Sequence, residues 1–227
     1  DIVVHSTTKF LSGQGNALGG IVIDSGKFPW LGNSKYPSLS EPSSEYNGLT
    51  FAETFGDLAY TMYSHAISLR DLGCTQSPMN AWITLNGIET LPLRMERHCS
   101  NAIDVANFLE KHSSVEWVSY AGLNSSPYYE LGKKFMKNGA GSVFTIGVKG
   151  GYESGIKMLE NVNLFSHVAN LGDSHSLILH PASTTHRQLS KEQQISAGAG
   201  PEVIRLSIGI ENVEDIIFDL DQALNKL

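Results

Sequence analysis

Asp1-Ile2-Val3-Val4-His5-Ser6-Thr7-Thr8-Lys9-Phe10, followed by Gly13-Gln14-Gly15 and Leu18-Gly19-Gly20-Ile21-Val22-Ile23-Asp24, is the stretch on which the reading of this 227-residue chain turns. A β-branched run that ends in a hydroxyl-rich turn reads as a buried strand opening onto a site. Gly20 to Asp24, apolar on both faces, reads as a second strand buried between layers. Ser6 and Thr8 stand two apart, so both hydroxyls can face one side of an extended turn, with Lys9 directly after them.

That order of groups suits a phosphate beside an amine. Lysine is protonated at neutrality, with a free pKa of about 10.4, but desolvation and neighbouring cations release its amine for Schiff-base chemistry. Pyridoxal phosphate uses all three groups: its aldehyde takes the lysine, its phosphate takes the hydroxyls, and its ring accepts electrons. The plainer alternative is a solvated turn, and spacing alone leaves both open.

Composition narrows the function classes. The formal net charge is −7 with both signs interspersed, and without a basic stripe this argues against nucleic acid or an anionic membrane as partner. No apolar run approaches the length of a membrane span and no leader pattern opens the chain, so the expectation is a cytoplasmic protein. Cys74 and Cys99 fall in stretches that read as helical, lack a Cys-x-x-Cys spacing and read as free thiols. Eight histidines show no His-x-x-x-His spacing and no clustered carboxylate, so no metal is expected. Leu18 stands where a dinucleotide fingerprint requires its third glycine.

Further along, Ser25 to Thr50 is a long irregular segment rich in Pro, Ser, Gly, Tyr and Trp. Such a length points to a functional or packed loop. Helices are expected over Phe51–Leu72, closed by Gly73, over Met79–Leu85 after Ser77-Pro78, and over Pro92–Lys111. The last carries an apolar stripe of Met95, Cys99, Ala102, Ile103, Ala106 and Leu109. Strands are expected over Val115–Tyr120, Ser142–Val148 and Val203–Ile208, with helices over Tyr129–Lys137 and Tyr152–Glu160. A final helix should be capped by Asn212, with Val213, Ile216, Ile217, Leu220 and Leu224 on one face. The class is α/β.

Four more blocks accompany the lysine stretch: Gly87-Ile88-Glu89-Thr90-Leu91-Pro92-Leu93-Arg94-Met95-Glu96-Arg97-His98, Gly172-Asp173-Ser174-His175-Ser176-Leu177, His180-Pro181-Ala182-Ser183-Thr184-Thr185-His186 and Ile204-Arg205-Leu206-Ser207-Ile208-Gly209-Ile210-Glu211. In this order they resemble the cysteine and methionine metabolism family of pyridoxal phosphate-dependent enzymes. Phe28-Pro29-Trp30 and Tyr46-Asn47-Gly48-Leu49 resemble its O-acetylhomoserine sulfhydrylase branch. The resemblance implies the C-terminal part of a fold type I transferase: the end of the large cofactor domain with its linking helix over 1–111, and a small α/β domain over 112–227. Family members run to roughly twice this length, so a start at Asp1, without methionine and inside a strand, reads as the C-terminal half of a longer protein.

The same resemblance implies the site. Lys9 would take pyridoxal 5'-phosphate as a Schiff base and then move protons, and Ser6 and Thr8 would hold the phosphate. Arg205 would grip the substrate α-carboxylate with a bidentate fork, and Ser176 would help hold it. From the residues alone, Arg205 reads equally as a rim arginine paired with an internal carboxylate, and Ser176 as a loop serine. His175 stands where the cystathionine branch carries glutamate, which makes cystathionine a poorer substrate. The implied reaction is γ-replacement on O-acetyl-L-homoserine by sulfide or methanethiol in methionine biosynthesis, in a homotetramer built as a dimer of dimers. The rivals are methionine γ-lyase, an O-succinylhomoserine enzyme, or a fragment without activity of its own.

Overall fold

The computed structural model describes residues 1–227. The chain divides into two units, one of residues 1–7 and 18–82, the other of residues 8–17 and 83–227.

In the first unit, strand β1 (Ile2–Ser6) pairs antiparallel with β2 (Gly20–Asp24), Ile2 opposite Asp24 and Ser6 opposite Gly20. These are the two expected strands, but not buried: Val4 is 71% exposed and Val22 51%. A pattern apolar on both faces shows only that a strand would tolerate cover on both sides, and here two strands form a sheet by themselves. The other apolar residues of this unit gather elsewhere, round buried Trp30, Leu39, Phe51, Ala52 and Ala59.

The irregular segment is accordingly not a free linker. It contains a short helix α1 (Pro37–Ser40) and a 3-10 turn at Ser44–Tyr46, and it delivers Phe28, Trp30 and Tyr36 to that cluster. Trp30 lies stacked on Tyr60, ring centroids 5.9 Å apart. The helix expected over Phe51–Leu72 is broken into α2 (Phe51–Phe55), a 3-10 turn beginning at Gly56, α3 (Ala59–Tyr63), a π-helical turn at Ser64–Leu69 and α4 (Arg70–Leu72). Gly56 takes φ +51, a left-handed value that no straight helix accommodates. Gly73 caps the end in the αL region as expected, and exposed Cys74 falls beyond the helix rather than inside one. Helix α5 (Pro78–Glu89) starts on its proline and runs four residues further than expected.

The second unit is built on a five-stranded mixed sheet of order β3-β4-β7-β6-β5, with β3 (Val115–Ser119), β4 (Val143–Val148), β5 (Ser166–His167), β6 (Leu177–Leu179) and β7 (Val203–Ser207). Neighbours are antiparallel except β5 and β6. Helices α6 (Leu91–Leu109), α7 (Tyr129–Phe135), α8 (Gly151–Asn161), α9 (Lys191–Ser196) and α10 (Val213–Leu224) complete it. Strands β5 and β6 and helix α9 were not expected, because two- and three-residue strands offer too little alternation to read.

The core follows from period two on the strands and 3.6 on the helices. Phe144, Ile146 and Val148 of β4 and Ile204 and Leu206 of β7 meet Ala102, Val105, Ala106 and Leu109 of α6, Met158 of α8 and Ile216 and Leu220 of α10. The inward face of α6 is rotated from the expected stripe: His98 and Asn101 are fully or nearly buried on it, whereas Ile103 is only half-buried. Asn101 Nδ2 donates to Gly209 O and Glu211 O, and His98 Nδ1 lies 2.7 Å from Ile208 O while its Nε2 is buried without a hydrogen-bond partner. Asn212 caps α10, its side chain accepting from Glu214 N. Buried Asp219 accepts from the successive N–H groups of Asn163, Leu164 and Phe165.

Candidate active site

The lysine turn is a closed backbone turn. Gly13 N donates to Lys9 O at 2.8 Å, Ser12 Oγ donates to Thr8 O at 2.9 Å, and Arg94 Nη1 donates to Phe10 O at 2.9 Å. Three successive carbonyls around the lysine are therefore satisfied, which leaves that backbone little freedom. Gly13 adopts φ +89, which a β-carbon would strain. Thr8 is buried and Lys9 half-buried, while Ser6 is exposed at the end of β1.

Lys9 Nζ donates to Asn170 Oδ1 and forms no ion pair. Asn170 lies between β5 and β6, and its main-chain carbonyl accepts from Arg205 Nη2 at 3.0 Å. Gly172 N donates to Ser207 Oγ at 2.9 Å and so ties this loop to β7. One asparagine thus carries the lysine amine on its side chain and the arginine on its backbone.

Arg205 projects from the face of β7 opposite Ile204 and Leu206, in register with Thr145 and Leu179. It has no carboxylate partner, so the rim ion pair that the sequence left open is absent. Burial pushes its pKa below the ordinary guanidinium value. A half-buried guanidinium bonded to a single neutral carbonyl keeps most of its donors for an anion.

Ser176 is placed differently from Arg205. It is fully buried, with N donating to Glu211 Oε1 at 2.6 Å, Oγ donating to Glu211 Oε2 at 3.0 Å, and Oγ accepting from Gly209 N at 2.9 Å. Its hydroxyl is engaged within the protein. His175 is exposed, its Nδ1 3.0 Å from Asp173 Oδ1.

Asn170 is the residue that sequence reasoning missed. It stands two positions before the Gly172-Asp173 block, and only its sharing of Lys9 and Arg205 marks it out. An amine on a neutral amide and a guanidinium outside any ion pair form a donor set suited to a carbonyl compound that carries an anionic group.

Comparison with known proteins agrees with this chemistry. Residues 1–225 match the family described as Cys/Met metabolism PLP-dependent enzyme. The chain is 49% identical to an O-acetyl-L-homoserine sulfhydrylase of Leptospira meyeri over all of its own length and 53% of that protein. It is 48% identical to a homocysteine synthase of Schizosaccharomyces pombe, covering 99% of this chain and 52% of that one. The chain therefore spans about half the length of the curated relatives it matches. Among solved structures, a putative O-acetylhomoserine (thiol)-lyase from Campylobacter jejuni, bearing N'-pyridoxyl-lysine-5'-monophosphate, superposes with a TM-score of 0.92 at 43% identity, over 99% of this chain and 54% of that one.

Proposed function

Because this chain belongs to the Cys/Met metabolism family of pyridoxal phosphate-dependent enzymes, we propose that it is the C-terminal half of an O-acetyl-L-homoserine sulfhydrylase, which replaces the acetoxy group with sulfide or methanethiol to give homocysteine or methionine. The observation that carries this reading is the joint attachment of Lys9 and Arg205 to Asn170, neither with an acid beside it. An amine for the cofactor and a guanidinium for a carboxylate are what an amino-acid substrate requires of such a site.

The residues fit the cofactor in part. Lys9 supplies the amine, and Ser6 and Thr8 supply hydroxyl donors for the phosphate. Neutral hydroxyls position a phosphate without offsetting its charge, so cations for it must come from elsewhere. When bound, the cofactor supplies an electron sink for bond breaking next to the substrate amino group.

Lys9, once free, moves protons on the substrate carbons, and Asn170 Oδ1 accepts a hydrogen bond from its Nζ. Arg205 orients the substrate through its carboxylate. Ser176 serves the same subsite, its hydroxyl reaching a ligand only by exchanging Glu211. The 1–111 part then belongs to the large domain and 112–227 to the small one. The whole protein acts in the cytoplasm as a homotetramer, a dimer of dimers, and residues 1–227 alone do not turn over substrate.

In the full-length protein, Lys9→Ala should abolish both the visible absorbance of lysine-bound cofactor and turnover, and normal activity would sink the reading. Arg205→Lys keeps the charge but removes the fork. At about 1.5–3 kcal/mol per charge-assisted bond, kcat/KM should fall roughly tenfold to a hundredfold with absorbance retained. Loss of cofactor with an unchanged KM would instead make Arg205 a structural residue.

A further inference from the structure

Arg94, in the first turns of α6, is a cation spent wholly on neutral oxygens. Its Nη1 donates to Phe10 O at 2.9 Å, its Nη2 to Gly87 O at 2.6 Å near the end of α5, and its Nε to Thr90 Oγ1 at 3.1 Å. No carboxylate pairs with it, and burial pushes its pKa below the ordinary guanidinium value. A half-buried charge without a counter-ion is a poor device for stability alone, since each neutral acceptor returns less than an acid would. Its position suggests what it does instead.

The turn that begins at Lys9 is held from two sides. A β-carbon on Gly87 would lie 2.5 Å from Leu11 O and 2.4 Å from Ser12 O, so helix α5 meets the turn backbone directly. A β-carbon on Gly13 would lie 2.7 Å from Arg94 Cζ, so the guanidinium packs against the far end of the same turn. The ring of Phe10 stands edge-on to buried His98, centroids 5.3 Å apart. Arg94 is the one group here that binds both the carbonyl next to Lys9 and the helix end beneath the turn.

We propose that Arg94 is a positioning residue for Lys9, fixing the backbone from which the reactive amine projects. The inference rests on the role proposed above for Lys9. Misplacing a reacting group by about 1 Å can cost on the order of a hundredfold in rate. A lysine at position 94 would keep the charge, yet its single ammonium cannot satisfy three acceptors set out in a planar fork.

The test uses the full-length holoenzyme. Arg94→Lys should retain cofactor, lower kcat by roughly tenfold to a hundredfold, and leave KM for O-acetylhomoserine within about twofold, because Arg205 is untouched. The visible absorbance of lysine-bound cofactor should titrate at a shifted pH, and hydrogen exchange at the Gly13 amide should quicken. Faster exchange or a lower Tm with unchanged kcat and titration midpoint would overturn the proposal and leave Arg94 a purely structural residue. Should Arg94→Lys fail to fold, Thr90→Val removes the Nε acceptor together with the long Thr90 Oγ1 bond to Gly87 O at 3.3 Å, and leaves both Nη bonds in place: a smaller kcat loss with the same spectral shift supports the proposal, and no change in either defeats it. Lys9→Ala, measured alongside, separates the two failures, since retained absorbance in that variant defeats the lysine assignment itself.

Discussion

Strands β1 and β2 of the first unit and β4 and β7 of the second draw on the same residues, runs of Val and Ile, and end in opposite surroundings. Val4 is 71% exposed and Ile23 50%, whereas Ile146 and Ile204 are wholly buried. The difference lies in what each strand is next to. Strands β4 and β7 lie inside a five-stranded sheet whose apolar face is packed by α6, α8 and α10. The β1–β2 pair is a sheet of two, and of its apolar residues only Ile2 packs against the cluster round Trp30 and Phe51. A β-branched run therefore reports that a strand can be covered, and a layer of helices decides whether it is.

This contrast can be broken most directly by truncation. Leu206→Ala opens a cavity in the core of the second unit and should cost about 2–5 kcal/mol, against less than about 1 kcal/mol for Val22→Ala on the exposed ribbon. Chemical unfolding of the 227-residue chain measures both, and equal losses would mean that the ribbon is as well packed as the sheet. Repeating Val22→Ala in the full-length protein sharpens the point, since a larger cost there would show that the rest of the polypeptide covers the ribbon.

Acid provides a second contrast. Burial pushes the imidazoles of His98 and His180 below their usual pKa, and both lie in the second unit, whereas His5 and His65 of the first are exposed. An imidazole whose folded pKa is lowered contributes stability above the unfolded value, about 6.5, and loses it as pH falls from there toward the folded value. Each contributes at most about 1.4 kcal/mol per pH unit in that window. His98→Gln should flatten the fall in unfolding free energy between about pH 6.5 and 5 relative to a His65→Gln control. Identical slopes would place the acid-sensitive groups elsewhere.

The smallest effect concerns a helix end. Asn212→Ala removes the acceptor for Glu214 N at the start of α10 and should cost about 1 kcal/mol in the same unfolding experiment. A loss as large as that of Leu206→Ala would mean that the cap, and not the packed face behind it, holds α10 on the sheet.

Much of the candidate site was legible because its chemistry is concentrated in short runs. Lys9 follows two hydroxyls within a single turn, and Arg205 interrupts an apolar strand, where a cation invites a question. Asn170 was not legible: its amide meets Lys9 across 161 positions and its carbonyl meets Arg205 across 35, and no periodicity spans such separations. Ser176 stands in a recognisable block, yet its commitment to Glu211 arises from a contact 35 residues away.

What the sequence determined by itself was therefore whatever depends on neighbours along the chain: the period of α6 and α10, the cap at Asn212, the left-handed turn at Gly73 and the family to which its blocks belong. Tertiary structure alone decided which apolar strands are covered, which cations lack an acid, and that Lys9 and Arg205 share one asparagine. The physical reason is that propensity and capping act through bonds within a few residues, whereas burial and electrostatic pairing depend on groups that only the folded chain brings together.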